Sequence, residues 1–155
     1  MTLDEFLHVG ETQTIGSHTF TPDEIIAFAA KFDPQPFHLS EEKAKTSVFG
    51  ALCASGWHTA STWMKYNVRS GLYNPEDWTG DGPAPEVQVS PGFRNLKWLK
   101  PVFAGETITY TRTVTGHRPM ASRPGYHMMA LIGEGHDSKG DKVIEFENAA
   151  VVKAS

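Results

Sequence analysis

The spacing of apolar residues changes once along this chain. In the first half it is helical. Thr21-Pro22-Asp23-Glu24 combines a capping hydroxyl, a proline at the first helical position and a carboxylate three residues after the cap. Ile25, Ile26, Phe28, Ala29 and Phe32 follow at helical spacing, and the helix must stop before Pro34 because proline disfavours helical backbone in the residue ahead of it. Ser40-Glu41-Glu42 starts a short helix through Lys45. A third helix is predicted from about Gly56 to Ser70, with Ser55 as N-cap and Gly71 as its stop. Trp57, Ala60, Trp63, Met64 and Val68 are its apolar members, and it reads as substantially buried.

Beyond a breaker-rich loop from Gly71 to Pro85 the period becomes two. Ile108, Tyr110 and Val114 alternate with five threonines between Thr107 and Thr115, a strand pattern. Val87, Val89 and Phe93 share one phase while Leu96 and Trp98 take the other, which predicts a bulge near Arg94-Asn95. Tyr126 to Glu134 and Val143 to Val152 read as further strands, and Glu11 to Thr19 as an early one. Helices followed by a run of strands point to an α+β fold, with an antiparallel sheet of about five strands wrapped around one buried helix.

Composition narrows the function classes. At 155 residues the chain fits a single domain spanning its whole length. The net charge of −4 argues against nucleic-acid and anionic-membrane partners. One cysteine, Cys53, excludes an intrachain disulfide. No basic-then-apolar leader opens the sequence, and no stretch approaches the roughly 18 apolar residues of a membrane span, so a cytoplasmic protein is expected.

The chemistry concentrates in Phe32-Asp33-Pro34-Gln35-Pro36-Phe37-His38. A carboxylate and an imidazole stand five residues apart on a backbone stiffened by two prolines. Such a pair can position and activate a water. By itself the string reads better as a helix end followed by a polar turn. Cys53-Ala54-Ser55-Gly56-Trp57-His58 adds the start of the apolar helix. A helix N-terminus offers unsatisfied N–H groups and partial positive charge, and Gly56 leaves room for a ligand to approach them. That terminus can hold a thioester carbonyl oxygen and the enolate formed from it. The competing reading is that Gly56 only permits close packing. If its N–H binds substrate, Gly56→Ala should leave stability roughly unchanged and lower turnover.

With these pieces in order, the sequence resembles the MaoC-like dehydratases and is similar to the (R)-specific enoyl-CoA hydratases. The matching segments are Asp33-Pro34-Gln35-Pro36-Phe37-His38, Phe49-Gly50, Ser55-Gly56 and Lys100-Pro101-Val102-Phe103-Ala104-Gly105-Glu106. The resemblance covers most of the chain from Thr21 onward. It implies a hot-dog fold, a homodimer or higher homo-oligomer, and a coenzyme A or acyl-carrier thioester as substrate. It further implies Asp33 and His38 as a catalytic dyad with the Gly56 amide as oxyanion donor. Two residues depart from the family pattern: Gln35 replaces its usual asparagine, and Ser55 its usual histidine.

The expected reaction is reversible addition of water to a 2-enoyl thioester. Thioester hydrolysis and a non-catalytic acyl-thioester binding module are the rivals. Gln35, Ser55 and Trp57 are candidates for contact with substrate. Arg94, Lys97, Lys100 and Arg112 are candidates for the phosphates of coenzyme A, although a solvated strand face accounts equally well for each. Trp63, Met64 and Tyr66 could shape an acyl cavity or simply be core. His58 reads as a hydrogen-bonded core histidine, and Cys53 as an inert buried thiol. His8, His18, His117, His127 and His136 lack compact ligand spacing, so neither a metal nor another cofactor is expected.

Overall fold

Thr2 and Thr21 each accept a hydrogen bond from the backbone amide three residues on, and thereby start helices α1 (Leu3–Phe6) and α2 (Pro22–Phe32). The computed structural model describes residues 1–71 and 73–154; Leu72, in the breaker-rich loop, and Ser155 lie outside the described residues. Between α1 and α2 runs strand β1 (Thr12–Thr19). After α2 come two short helices, α3 (Pro36–Leu39) and α4 (Glu41–Lys45), and then α5 (Gly56–Arg69). A single 3₁₀ turn, Pro75–Asp77, interrupts the loop. The remaining strands are β2 (Glu86–Val87), β3 (Phe93–Trp98), β4 (Thr107–Pro119), β5 (Tyr126–His136) and β6 (Lys142–Lys153).

The strands form one six-stranded antiparallel sheet in the order β1-β4-β5-β6-β2, with β3 also pairing β6. This is the hot-dog arrangement, with one strand more than the pattern suggested because β2 is only two residues long. The bulge in β3 is present: its register shifts between Arg94 and Lys97, and Asn95 has φ of 55°. Two short helices were not legible in the apolar pattern. Four residues give a period-3.6 stripe no length to show itself. The signal for α1 was the Thr2/Glu5 capping box, and for α3 the proline at its first position.

Helix α5 lies against the inner face of the sheet. Trp63 is fully buried and donates from Nε1 to the Thr111 carbonyl of β4 at 2.9 Å. Tyr110, also on β4 and fully buried, donates its hydroxyl to the Thr59 carbonyl of α5 at 2.9 Å. Gly133 on β5 leaves the space that the rings of Phe146 and Trp63 fill. The helix is less buried than its composition implied. Its covered face is His58, Thr59, Thr62 and Trp63, whereas Trp57 is 51% and Val68 73% exposed, and Met64 is also exposed. The stripe Trp57, Ala60, Met64, Val68 is a helical face as expected, but within one chain only Ala60 packs against the core, and the three larger side chains stay largely uncovered. Phe32, at the end of α2, is likewise exposed. No helix among the described residues is long and apolar enough to cross a membrane.

Trp63 combines the largest buried side chain with a helix-to-sheet hydrogen bond. Trp63→Ala should therefore destabilise the protein by ~3–5 kcal/mol. Urea unfolding measures this; a loss below about 1 kcal/mol, the average for any substitution, would mean that α5 is not seated through this residue.

Candidate active site

Asp33 is the C-cap residue of α2, and its backbone amide donates to the Ala29 carbonyl. Pro34 then forces the chain out of helix, and Pro36 begins α3, which carries His38. This short path returns the two side chains to one point, with His38 Nε2 3.4 Å from Asp33 Oδ2. His38 is buried, and its Nδ1 lies 2.6 Å from the Cys53 carbonyl oxygen. A carbonyl can only accept, so Nδ1 carries the hydrogen. In the neutral imidazole Nε2 is then the free lone pair, and it faces the carboxylate.

Asp33 is held from two sides. Gln35 Nε2 donates to Oδ1 at 2.7 Å, and Ser55 Oγ donates to Oδ2 at 2.7 Å. Burial pushes the Asp33 carboxyl up, but the Ser55 and Gln35 hydrogen bonds and the charge of His38 outweigh it. The net result is a carboxyl below its ordinary range. The amide at position 35 thus keeps a structural role with glutamine in place of asparagine, and Ser55 supplies the orienting bond to the dyad.

Ser55 is fully buried and is also the N-cap of α5, accepting from the Trp57 amide at 3.3 Å. The next residue, Gly56, is the first of the helix, so by position its N–H has no intrahelical acceptor. Its Cα is covered by the Trp98 indole, which donates from Nε1 to the Gly56 carbonyl at 2.9 Å. A methyl group at position 56 would overlap that indole. The expectation that Gly56→Ala leaves stability unchanged is corrected here: the substitution displaces Trp98 and cannot separate an oxyanion role from packing. Trp57 meets the same indole edge-on at 5.0 Å, forming an aromatic wall beside the helix start.

The other candidates separate clearly. Arg94 and Lys97 are on the exposed strand β3, paired with Glu147 and Glu145 on β6 at 3.1 and 4.0 Å. Lys100 is clamped by Asp137 and Asp141 at 2.8 and 3.0 Å. Arg112 is neither solvated nor at the surface; it is 3% exposed beneath α5. Cys53 is buried, and burial together with the Asp33 charge pushes its thiol up to about 11, so it is no nucleophile at neutral pH. Tyr66 packs over Gly16 of β1, and its hydroxyl bonds His18 Nδ1 at 2.9 Å, which makes it core.

His58 is a core residue, but not a fully hydrogen-bonded one. It is 8% exposed, stacked on Phe28 at 4.5 Å, with Nδ1 unpartnered among the described residues and Nε2 3.8 Å from Glu24. Burial pushes its pKa down from 6.5 to about 4, partly opposed by Glu24.

A sequence model of the MaoC like domain family matches residues 8–128. The chain belongs to the MaoC-like dehydratase family. A MaoC-like dehydratase from Rhodospirillum rubrum superposes with a TM-score of 0.82 at 33% identity, covering 100% of this chain and 98% of that one. The (R)-hydratase from A. caviae involved in PHA biosynthesis gives a TM-score of 0.64 at 26% identity, covering 95% and 96%. The uncharacterized protein YdeM of Bacillus subtilis (strain 168) is 28% identical over 153 residues, 99% of each chain.

The MaoC-like fold keeps His58 neutral at physiological pH, with a consequence for stability. Below pH 6.5 the unfolded chain takes up a proton at this histidine that the folded chain refuses until about pH 4. The His58 contribution to stability should therefore be lost as pH drops from 6.5 to 4 and change no further below that. His58→Gln should flatten the curve across that window in urea titrations. Parallel curves for variant and wild type would remove His58 as the titrating group.

Proposed function

We propose that this MaoC-like protein is an acyl-thioester hydratase that reversibly adds water to a 2-enoyl thioester to give a 3-hydroxyacyl thioester. The observation that carries this reading is the meeting of the free Nε2 of His38 with Asp33 Oδ2 at 3.4 Å, tied through Ser55 to the start of α5. A water bridging the two gives one hydrogen to each. Asp33, held below the ordinary carboxyl range, orients the water rather than taking its proton, while the Nε2 lone pair accepts the proton as oxygen attacks C3. The thioester oxygen becomes negative and is held by the Gly56 N–H at the positive end of α5. The imidazolium then returns the proton to C2. Attack and protonation from one group place both on the same face of the double bond. The (R) product is proposed by analogy with the A. caviae (R)-hydratase.

Water held by the same pair could instead attack the carbonyl carbon, which is thioester hydrolysis, and the assay must separate the two. With crotonyl-CoA, loss of enoyl absorbance without release of thiol is expected. Asp33→Asn and His38→Ala should each lower that rate at least about a hundredfold. Free thiol in place of hydration would make the protein a thioesterase. Near-wild-type hydration in either folded variant would remove that residue from the mechanism.

A homodimer completes the proposal. Trp57, Met64, Val68, Trp98 and Leu99 are large apolar side chains exposed around the helix start and along α5. A second copy would cover them and close a groove over the dyad. Light scattering at micromolar concentration should give at least a dimer mass; a fully active monomer would overturn this.

A further inference from the structure

Below the C-terminal half of α5 lies a cavity of about 560 Å³, lined among others by Met64, Asn67, Val68, Tyr73 and Arg112. It is separate from the larger hollow of about 830 Å³ lined by Met128, Ala130 and Ile132 of β5. Leu131 and Asn148 border both, but Met129 and Ala150, of opposite parity to Met128, Ala130 and Ala149, line only the smaller one, so the two lie mainly on opposite faces of the sheet.

Arg112 makes the smaller cavity unusual. Its guanidinium is 3% exposed and lies over the Tyr73 ring at 4.5 Å, with Nη1 donating to Asn67 Oδ1 at 2.7 Å. Its Nε and Nη2 are buried without an acceptor, as is the Tyr73 hydroxyl. No Asp or Glu among the described residues pairs with it. Glu86, which also lines the cavity, is exposed and paired with Lys153 at 3.7 Å. Nε and Nη2 are adjacent on one edge of the guanidinium, the fork that receives both oxygens of a carboxylate in two parallel hydrogen bonds. A buried charge left unpaired is strongly unfavourable, so this edge calls for an anionic partner.

The dyad and this cavity share one helix. Ser55 and Gly56 meet the dyad at the N-terminus, while Met64, Asn67 and Val68 line the cavity. Trp57, Ala60, Met64 and Val68 recur on one face and join the two, over about 16 Å of helix at ~1.5 Å per residue. A thioester held at Gly56 can thus lay its acyl chain along this stripe and into the cavity.

We propose that the Nε/Nη2 edge of Arg112, with the Tyr73 hydroxyl, binds a carboxylate at the far end of the acyl chain, so that the substrates are monothioesters of unsaturated dicarboxylic acids. This rests on the hydratase reading for the reaction, but not for the binding. The test compares hydration of 2-enedioyl-CoA monothioesters with neutral 2-enoyl-CoA thioesters matched in length, over a series of lengths. At the fitting length kcat/KM should favour the dioyl substrate by roughly ten- to a hundredfold, the scale of hydrogen bonds to a charged group. Arg112→Met should abolish that ratio, which does not depend on the fraction of variant that folds. Tyr73→Phe, a smaller change, should reduce it. Calorimetric binding of a saturated dioyl-CoA, weakened in the same variants, is the readout independent of turnover.

A wild type that hydrates crotonyl-CoA but shows no dioyl preference at any length overturns the proposal and leaves the hydratase reading standing. So does equal preference for a neutral hydroxylated tail, since the pocket would then be merely polar. Arg112-dependent binding of the saturated dioyl-CoA with no hydration of any thioester upholds the pocket and sinks the hydratase reading.

Discussion

The Ser55 hydroxyl makes two bonds at once. It accepts from the Trp57 amide at 3.3 Å and donates to Asp33 Oδ2 at 2.7 Å, with the residue completely buried. The first bond satisfies an orphan donor at the start of α5. The second fixes a carboxylate on another helix and helps keep it ionised. One side chain therefore sets the position of the dyad relative to the helix end that would receive the thioester oxygen. His38 is held in the same frame, because Nδ1 is bonded to the carbonyl of Cys53, two residues before Ser55. The segment from Cys53 to Gly56 thus fixes the imidazole tautomer, the carboxylate orientation and the first free amide.

That frame holds only if α5 cannot slide on the sheet. Trp63 to the Thr111 carbonyl and Tyr110 to the Thr59 carbonyl cross the helix–sheet boundary in opposite directions, one donor from each side. Their rings occupy the core, so moving the helix along its axis breaks hydrogen bonds and packing together. The consequence is that Trp57, Met64 and Val68 of the apolar stripe stay exposed along the flank of α5. Within one chain these three side chains are left largely uncovered, which is why the stripe supports both a partner subunit and a substrate path.

Much of this was legible in the residue pattern. The caps at Thr21 and Ser55, the stop before Pro34, the alternation through β4 and the bulge near Asn95 are local signals, and the structure repeats them. The proximity of Asp33 and His38 followed from two prolines that leave the backbone few alternatives. Other features depended on tertiary packing. Nothing in the spacing of α5 says which of its faces meets the sheet, and the more polar face, with Thr59 and Thr62, was chosen because Trp63 lies on it. Similarly, Gly56 is covered by Trp98, 42 residues away. The surface pairing of Arg94 and Lys97 was set by the register of β3 against β6.

Arg112 is a charged residue whose burial is written into the strand pattern itself. It has the parity of Ile108, Tyr110 and Val114, so the alternation that defines β4 already puts a charge on the buried face. A strand side chain cannot change face without shifting every neighbour, and β4 is held on one side by β1 and on the other by β5. The guanidinium is therefore kept under α5 by pairing that it cannot disturb. Burial lowers its pKa, opposed only by the Tyr73 phenol. Asn67 and the Tyr73 ring offset part of the desolvation, and the Nε/Nη2 edge is the part that neither of them reaches. An apolar residue of similar volume would serve packing better at this position. The fold is thus locally less stable than it could be at the point where the cavity meets charge, as expected of a binding residue held in place by the scaffold around it.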